Sequence, residues 1–177
     1  MLSIPDVGQI DAFAEPWRRV FAHSPLLSTM ILFGHLGGLL AAGGLTVAAD
    51  RATLRLDPRD GADRRRHLVE RERMRGLVWG AFAIALLCGM LLFLADVEAF
   101  AASSIFWTKM GLVLLLVANA LLTSRMDSAL RRDADTGATP PAPERYARRW
   151  RRRRAGALVS AVLWFGLVLA GTALASH

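Results

Sequence analysis

Apolar positions along the chain are gathered into four long runs. They cover about residues 25–49, 76–96, 105–124 and 155–175, and charged residues crowd the segments between them. Each run holds about twenty residues or more, enough to cross about 30 Å of hydrocarbon as a helix at about 1.5 Å per residue. All seven prolines lie outside the run interiors. The pattern predicts an all-α integral membrane protein, a four-transmembrane-helix bundle. With ends this short, residues 1–177 form a single membrane domain and leave no room for a separate soluble one. Ahead of the first run, Ile10, Phe13, Trp17 and Phe21 recur near helical spacing, with Asp11, Glu15, Arg18 and Arg19 between them. This predicts a short N-terminal amphipathic helix lying in the outer interface, with Trp17 at head-group level.

Charge placement sets the expected orientation. Nine arginines fall in the connection 50–75 and ten in 125–154, the connection near 97–104 has no basic residue, and the N-terminal tail has two. By the positive-inside rule both basic loops are cytoplasmic, so the chain is N-out and C-out. Localisation in a bacterial cytoplasmic (inner) membrane as a multi-pass protein follows. The net charge of +7 then has a plain explanation, with anionic lipids as partners of the Arg-rich loops and no nucleic acid required. The N-terminus lacks a basic n-region followed by an apolar run, which predicts no cleaved signal peptide.

Within the connections, "LDPRDGA" reads as a turn, "ADRRRHLVERERMRG" as a helical extension of span two, "DTGATPPAP" as a linker and "ERYARRWRRRRAG" as a basic surface helix entering span four. No fixed-period repeat is present. The single cysteine, Cys88, excludes an intrachain disulfide, and the absence of CxxC and CxxCH excludes covalent c-type haem and thiolate zinc. No Ser-His-Asp, HExxH, P-loop or GxGxxG pattern stands in a fitting context.

The candidate chemistry rests on two residues out of place. His35 sits in "ILFGHLGGLLAAGG", about 15 Å down the first span and near the bilayer centre. An ionisable residue at that depth is costly and marks a site by default. Gly38 and Ala42 share its helical face, and Gly34 with Gly38 makes a GxxxG. Such a notch suits close approach of a flat cofactor or of another helix. The competing role for His35 is packing glue, hydrogen-bonded to a neighbouring span. Lys109 is the only lysine, about 7 Å below the outer surface in span three. It either snorkels outward or faces the bundle, pairing with a haem propionate, Asp96 or Glu98. His35 as metal ligand, with Gly38, Ala42 and Lys109, makes the candidate haem b site. His23, Met30, Met90 and Met110 are weaker ligand candidates. Asn119 is expected to bond between helices, and His67 and His177 to be solvated.

"PLLSTMILFGHLGGLLAAGGLTVAADR" followed by "GLVWGAFAIALLCGMLLFLADVEAFAASSIFWTKMGLVLLLVANALL" resembles an uncharacterised family of small bacterial four-helix inner-membrane proteins. The shared pattern is a first-span histidine, an Asp-Arg pair (Asp50, Arg51) at that span's inner end, and Gly-x-x-Leu-Phe in the second span. The likeness covers about residues 9–124 and implies no set activity. A more distant similarity joins His35 and Lys109 to the membrane-bound, haem-linked protoporphyrinogen oxidases, and the spans to copper-resistance D membrane domains. In the oxidases the matching histidine is taken to ligate haem. The Trp- and Arg-rich surroundings of that enzyme are missing from span one. The functional expectation is a haem b-binding redox or electron-transfer protein, with a quinone or respiratory-complex partner. The alternatives are a non-catalytic accessory subunit of a larger membrane complex and a protoporphyrinogen oxidase-like enzyme.

Overall fold

The computed structural model describes residues 7–57, 60–135 and 143–175. Every regular element among them is an α-helix: α1 Val7–His23, α2 Pro25–Arg55, α3 Gly61–Ala95, α4 Val97–Ala102, α5 Ser104–Asp135 and α6 Pro143–Ala175. Four of these, α2, α3, α5 and α6, are long and apolar enough to cross a membrane.

Local sequence sets where the helices begin. Ser24 caps α2 by accepting from the Leu27 amide at 3.4 Å, and Pro25 follows where its missing N–H costs nothing. Asp60 caps α3 through the Asp63 amide at 3.0 Å, and Asp96 caps α4 through Ala99. Ser103 does the same for α5 through Phe106.

The four long helices outrun their apolar stretches, all at the same end. At 35 residues α3 is about 50 Å long, so about 20 Å extends beyond the hydrocarbon. "ADRRRHLVERERMRG" is thus a continuous extension of span two, and the described part of "ERYARRWRRRRAG" is continuous with span four. The linker 136–142 and His177 lie outside the described residues.

α2 packs closely on α3 and on α6, and α6 on α5. α3 and α5 barely touch, so the bundle is closed on three sides and slack on the fourth. Small residues allow the close approaches. A Cβ on Gly38 would stand 2.7 Å from the Ala81 carbonyl oxygen and 2.9 Å from the Ala85 nitrogen of α3. Gly43 lies flat under the Trp164 ring of α6, and Gly156 of α6 meets Thr123 of α5. Asn119 does bond between helices, its Nδ2 donating to the Gly156 carbonyl at 3.1 Å. The membrane-level core joins Ala42, Leu116, Trp164 and Leu167, and a second cluster beyond the spans joins Leu68, Leu130 and Trp150. α1 rests on α3, where the Trp17 indole donates to the Leu91 carbonyl at 2.9 Å.

Candidate functional site

His35 faces α3, with Nδ1 2.8 Å from the Ala85 carbonyl oxygen. A carbonyl only accepts, so Nδ1 carries the proton and, in the neutral ring, Nε2 keeps its lone pair. The ring lies over Gly89, where a Cβ would come within 2.9 Å of Cε1. Lys109 is half-buried, with Nζ 4.0 Å from the position of a Cβ on Gly171 of α6. It therefore faces the bundle. No carboxylate among the described residues pairs with it, and Asp96 is engaged as the α4 cap. His35 and Lys109 lie in the half of the bundle away from the basic connections.

Gly38 and Ala42 lead elsewhere. The Gly38 notch is filled by Ala81 and Ala85 of α3, and Ala42 is wholly buried in the core between α2, α5 and α6. A porphyrin needs an open slab beside its ligating ring, and on this face the backbone of α3 occupies that slab. In this packing Gly38 and Ala42 leave no open notch beside His35. Of the weaker ligand candidates, His23 bonds to the Arg19 carbonyl of its own helix, and Met30 and Met90 are exposed on the outer faces. Among the described residues no group of three or more His, Cys, Asp and Glu side chains could hold a metal ion.

The densest polar constellation lies at the ends of the spans that carry the basic connections, here called the inner ends. Asp50 of α2, Arg71 of α3, Asp127 of α5 and Arg153 of α6 form a closed ring of ion pairs. Arg71 Nη1 donates to Asp50 Oδ1 at 3.0 Å and Nε to Asp127 Oδ2 at 3.1 Å. Arg153 donates through Nε to Asp127 Oδ1 at 2.7 Å and through Nη2 to Asp50 Oδ1 at 3.2 Å. Arg153 is 0% exposed, and its Nη1 has no partner among the described residues. Two charges of each sign cancel, which is what makes burial at this depth tolerable. Next to the ring, His67 corrects the expectation of a solvated side chain. It is 8% exposed, with Nε2 2.8 Å from the Thr53 hydroxyl. That hydroxyl also donates to the Ala49 carbonyl at 3.0 Å, so the imidazole Nε2–H is the donor between them.

Above the ring a cavity opens toward the bilayer centre. Its volume is about 110 Å³. Val78, Trp79 and Phe82 of α3 face Leu116, Val117 and Ala120 of α5 across it, and Thr46 of α2 with Ser160 and Trp164 of α6 form the back wall. The floor carries three acidic residues, Asp50, Glu72 and Asp127, and three basic ones, Arg71, Arg75 and Arg131. Helices α3 and α5, which both line the cavity, barely touch. Side chains join α3 to α5 at both ends of this gap. At the inner end Arg71 reaches Asp127, Arg131 reaches Glu72, and Arg75 donates to Ser124 at 3.5 Å. At the outer end Phe93 stacks on Phe106 with centroids 5.2 Å apart.

Sequence reasoning missed both the ring and the cavity. One signal existed: each apolar run has a charged residue within five positions of its inner end, and along the chain the signs alternate, Asp50, Arg71, Asp127, Arg153. No family model, curated protein or solved structure matches the chain.

Proposed function

We propose that the protein is a multi-pass component of a bacterial cytoplasmic membrane, N-out and C-out, whose working site is the inner cavity. Its task is to take a small amphiphilic molecule from the bilayer through the gap between α3 and α5. The observation that carries this reading is the cavity beside the slack α3–α5 side of the bundle. Ligand pockets are concave and mostly apolar with few polar groups, and bundle interiors are a usual place for them. The orientation is supported by the two basic connections lying at one end, where the ring ties α2, α3, α5 and α6 together. The amphipathic α1 and anionic lipid at the arginines of the cytoplasmic connections complete the membrane setting.

The test uses protein in liposomes with a diazirine-bearing acyl probe. Labelling of residues 74–82 and 116–124 that falls in Ala120→Trp is the expected result. Labelling confined to lipid-facing side chains such as Leu86 and Leu114, unchanged in Ala120→Trp, overturns the reading.

Haem ligation by His35 is the competing proposal. One observation favours it: the bond to Ala85 leaves Nε2 with a lone pair, the state of an imidazole ready to bind a metal. The two readings separate in an absorption spectrum of purified protein from haem-replete cells. A Soret band lost in His35→Ala supports haem, and a colourless protein sinks it. Stoichiometric co-purification with other membrane proteins would instead favour an accessory subunit.

A further inference from the structure

We infer that the cavity ligand is a carbonyl compound of the quinone class, bound by a hydrogen bond from the back wall. This rests on the cavity reading above and names its ligand.

The first argument is hydrogen-bond supply. Buried polar groups in proteins find partners, and in hydrocarbon the alternative is costly. Thr29, Thr53, Thr108, Thr123 and Thr172 each donate to a carbonyl of their own helix. Among the described residues Thr46 and Ser160 show no such bond, and both line the cavity. Ser160 is 5% exposed and Trp164, one turn further along α6, is 7% exposed. The Trp164 Nε1–H is buried with no partner among the described residues. The Ser160 hydroxyl on this wall is a donor that lacks an acceptor among the described residues, while the Trp164 Nε1–H is closed off by protein atoms. A bound carbonyl oxygen supplies that acceptor.

The second argument is charge. The floor is neutral, three acidic residues against three basic ones, and Arg71, Arg75 and Arg131 are already paired with Asp50, Asp127 and Glu72. A neutral head group suits this better than a phosphate or a fatty-acid carboxylate, which would have to displace one of those partners.

The third is shape. The gap is bridged at both ends by side-chain contacts, so a partner helix about 10 Å wide cannot enter without breaking them. A flat ring with an apolar tail can. By depth, Ser160 lies about 7 Å in from the inner end of span four, so this donor stands inside the hydrocarbon. A ligand reaching it must come from the lipid phase.

The experiment uses full-length protein in nanodiscs and two probes: a quinone with a single isoprenoid unit, and a fluorescent fatty acid. Ser160→Ala removes a hydroxyl with no partner among the described residues, so its thermal midpoint should match the wild type. It should weaken quinone binding about three- to tenfold, the worth of one hydrogen bond. Ala120→Trp should abolish saturable binding. Quinone binding that is equal in wild type, Ser160→Ala and Ala120→Trp is partition into the bilayer and overturns the inference. Fatty-acid binding that Ala120→Trp removes, with no quinone binding, overturns the quinone class but leaves the cavity in use. Binding of neither probe overturns both.

Discussion

Removing one carboxylate from the ion-pair ring should destabilise the protein more than removing a carboxylate and an arginine together. In Asp127→Leu, Arg153 Nε loses its 2.7 Å acceptor and Arg71 Nε its 3.1 Å acceptor. Asp50 then faces two guanidinium groups alone, and one of them, Arg153, is 0% exposed. Leaving a buried charge uncompensated costs about 3–5 kcal/mol. For a chain of this size each kcal/mol shifts the thermal midpoint by about 2–4 °C, so the expected drop is about 6–20 °C. In Asp127→Leu/Arg153→Met the remaining Asp50–Arg71 pair is neutral, and two apolar side chains fill the vacated volume. Such replacements are often neutral or stabilising, so the double variant should recover most of the loss. The assay is thermal unfolding in one detergent at one pH for the two single variants and the double variant. A single variant within about 1 kcal/mol of wild type, or losses that simply add, would refute the view of the ring as one coupled unit.

The other expectations concern packing and sidedness. Gly38→Ala should lose about 1–3 kcal/mol of stability, because its Cβ would meet the α3 backbone at Ala81 and Ala85, which cannot rotate away. Gly37→Ala, with nothing within 4 Å of its Cβ, should be neutral or stabilise by up to about 1 kcal/mol, and thermal midpoints compare the two. His67→Leu should lower the midpoint by the equivalent of about 0.5–1.5 kcal/mol, since Thr53 keeps its bond to Ala49 when the imidazole is gone. A cysteine at Gly137 should react with an impermeant thiol reagent only from the cytoplasmic side, and labelling of intact cells would reverse the orientation.

Much of the fold is written in the one-dimensional pattern. Run lengths fix the number of long helices, because a run of about twenty apolar residues can satisfy its backbone in lipid only as a helix. The Glu/Arg spacing in 62–76 carries α3 beyond its apolar run, and Asn119 reads as an interhelical donor because an amide in hydrocarbon needs a partner. The face of His35 is legible from helical periodicity, but what lies against that face is not. GxxxG admits either a cofactor or a backbone, and the position of Ala81 and Ala85 decided for α3.

His67 shows the limit most directly. In sequence it stands among arginines and reads as solvated, yet Thr53, 14 residues earlier, meets it once α2 and α3 pack beyond the spans. The ring is the same case at larger scale. Asp50, Arg71, Asp127 and Arg153 are four charges among many, and up to 103 positions separate those that bond. Composition and period determine which segments enter the membrane, because burial of apolar surface and backbone satisfaction depend on local sequence alone. Which charges pair, which notch is filled and which side of the bundle stays open depend on the order in which helices lie side by side. Only the tertiary structure decides that, since one-sided packing of α2 on α3 and α6 leaves α3 and α5 apart.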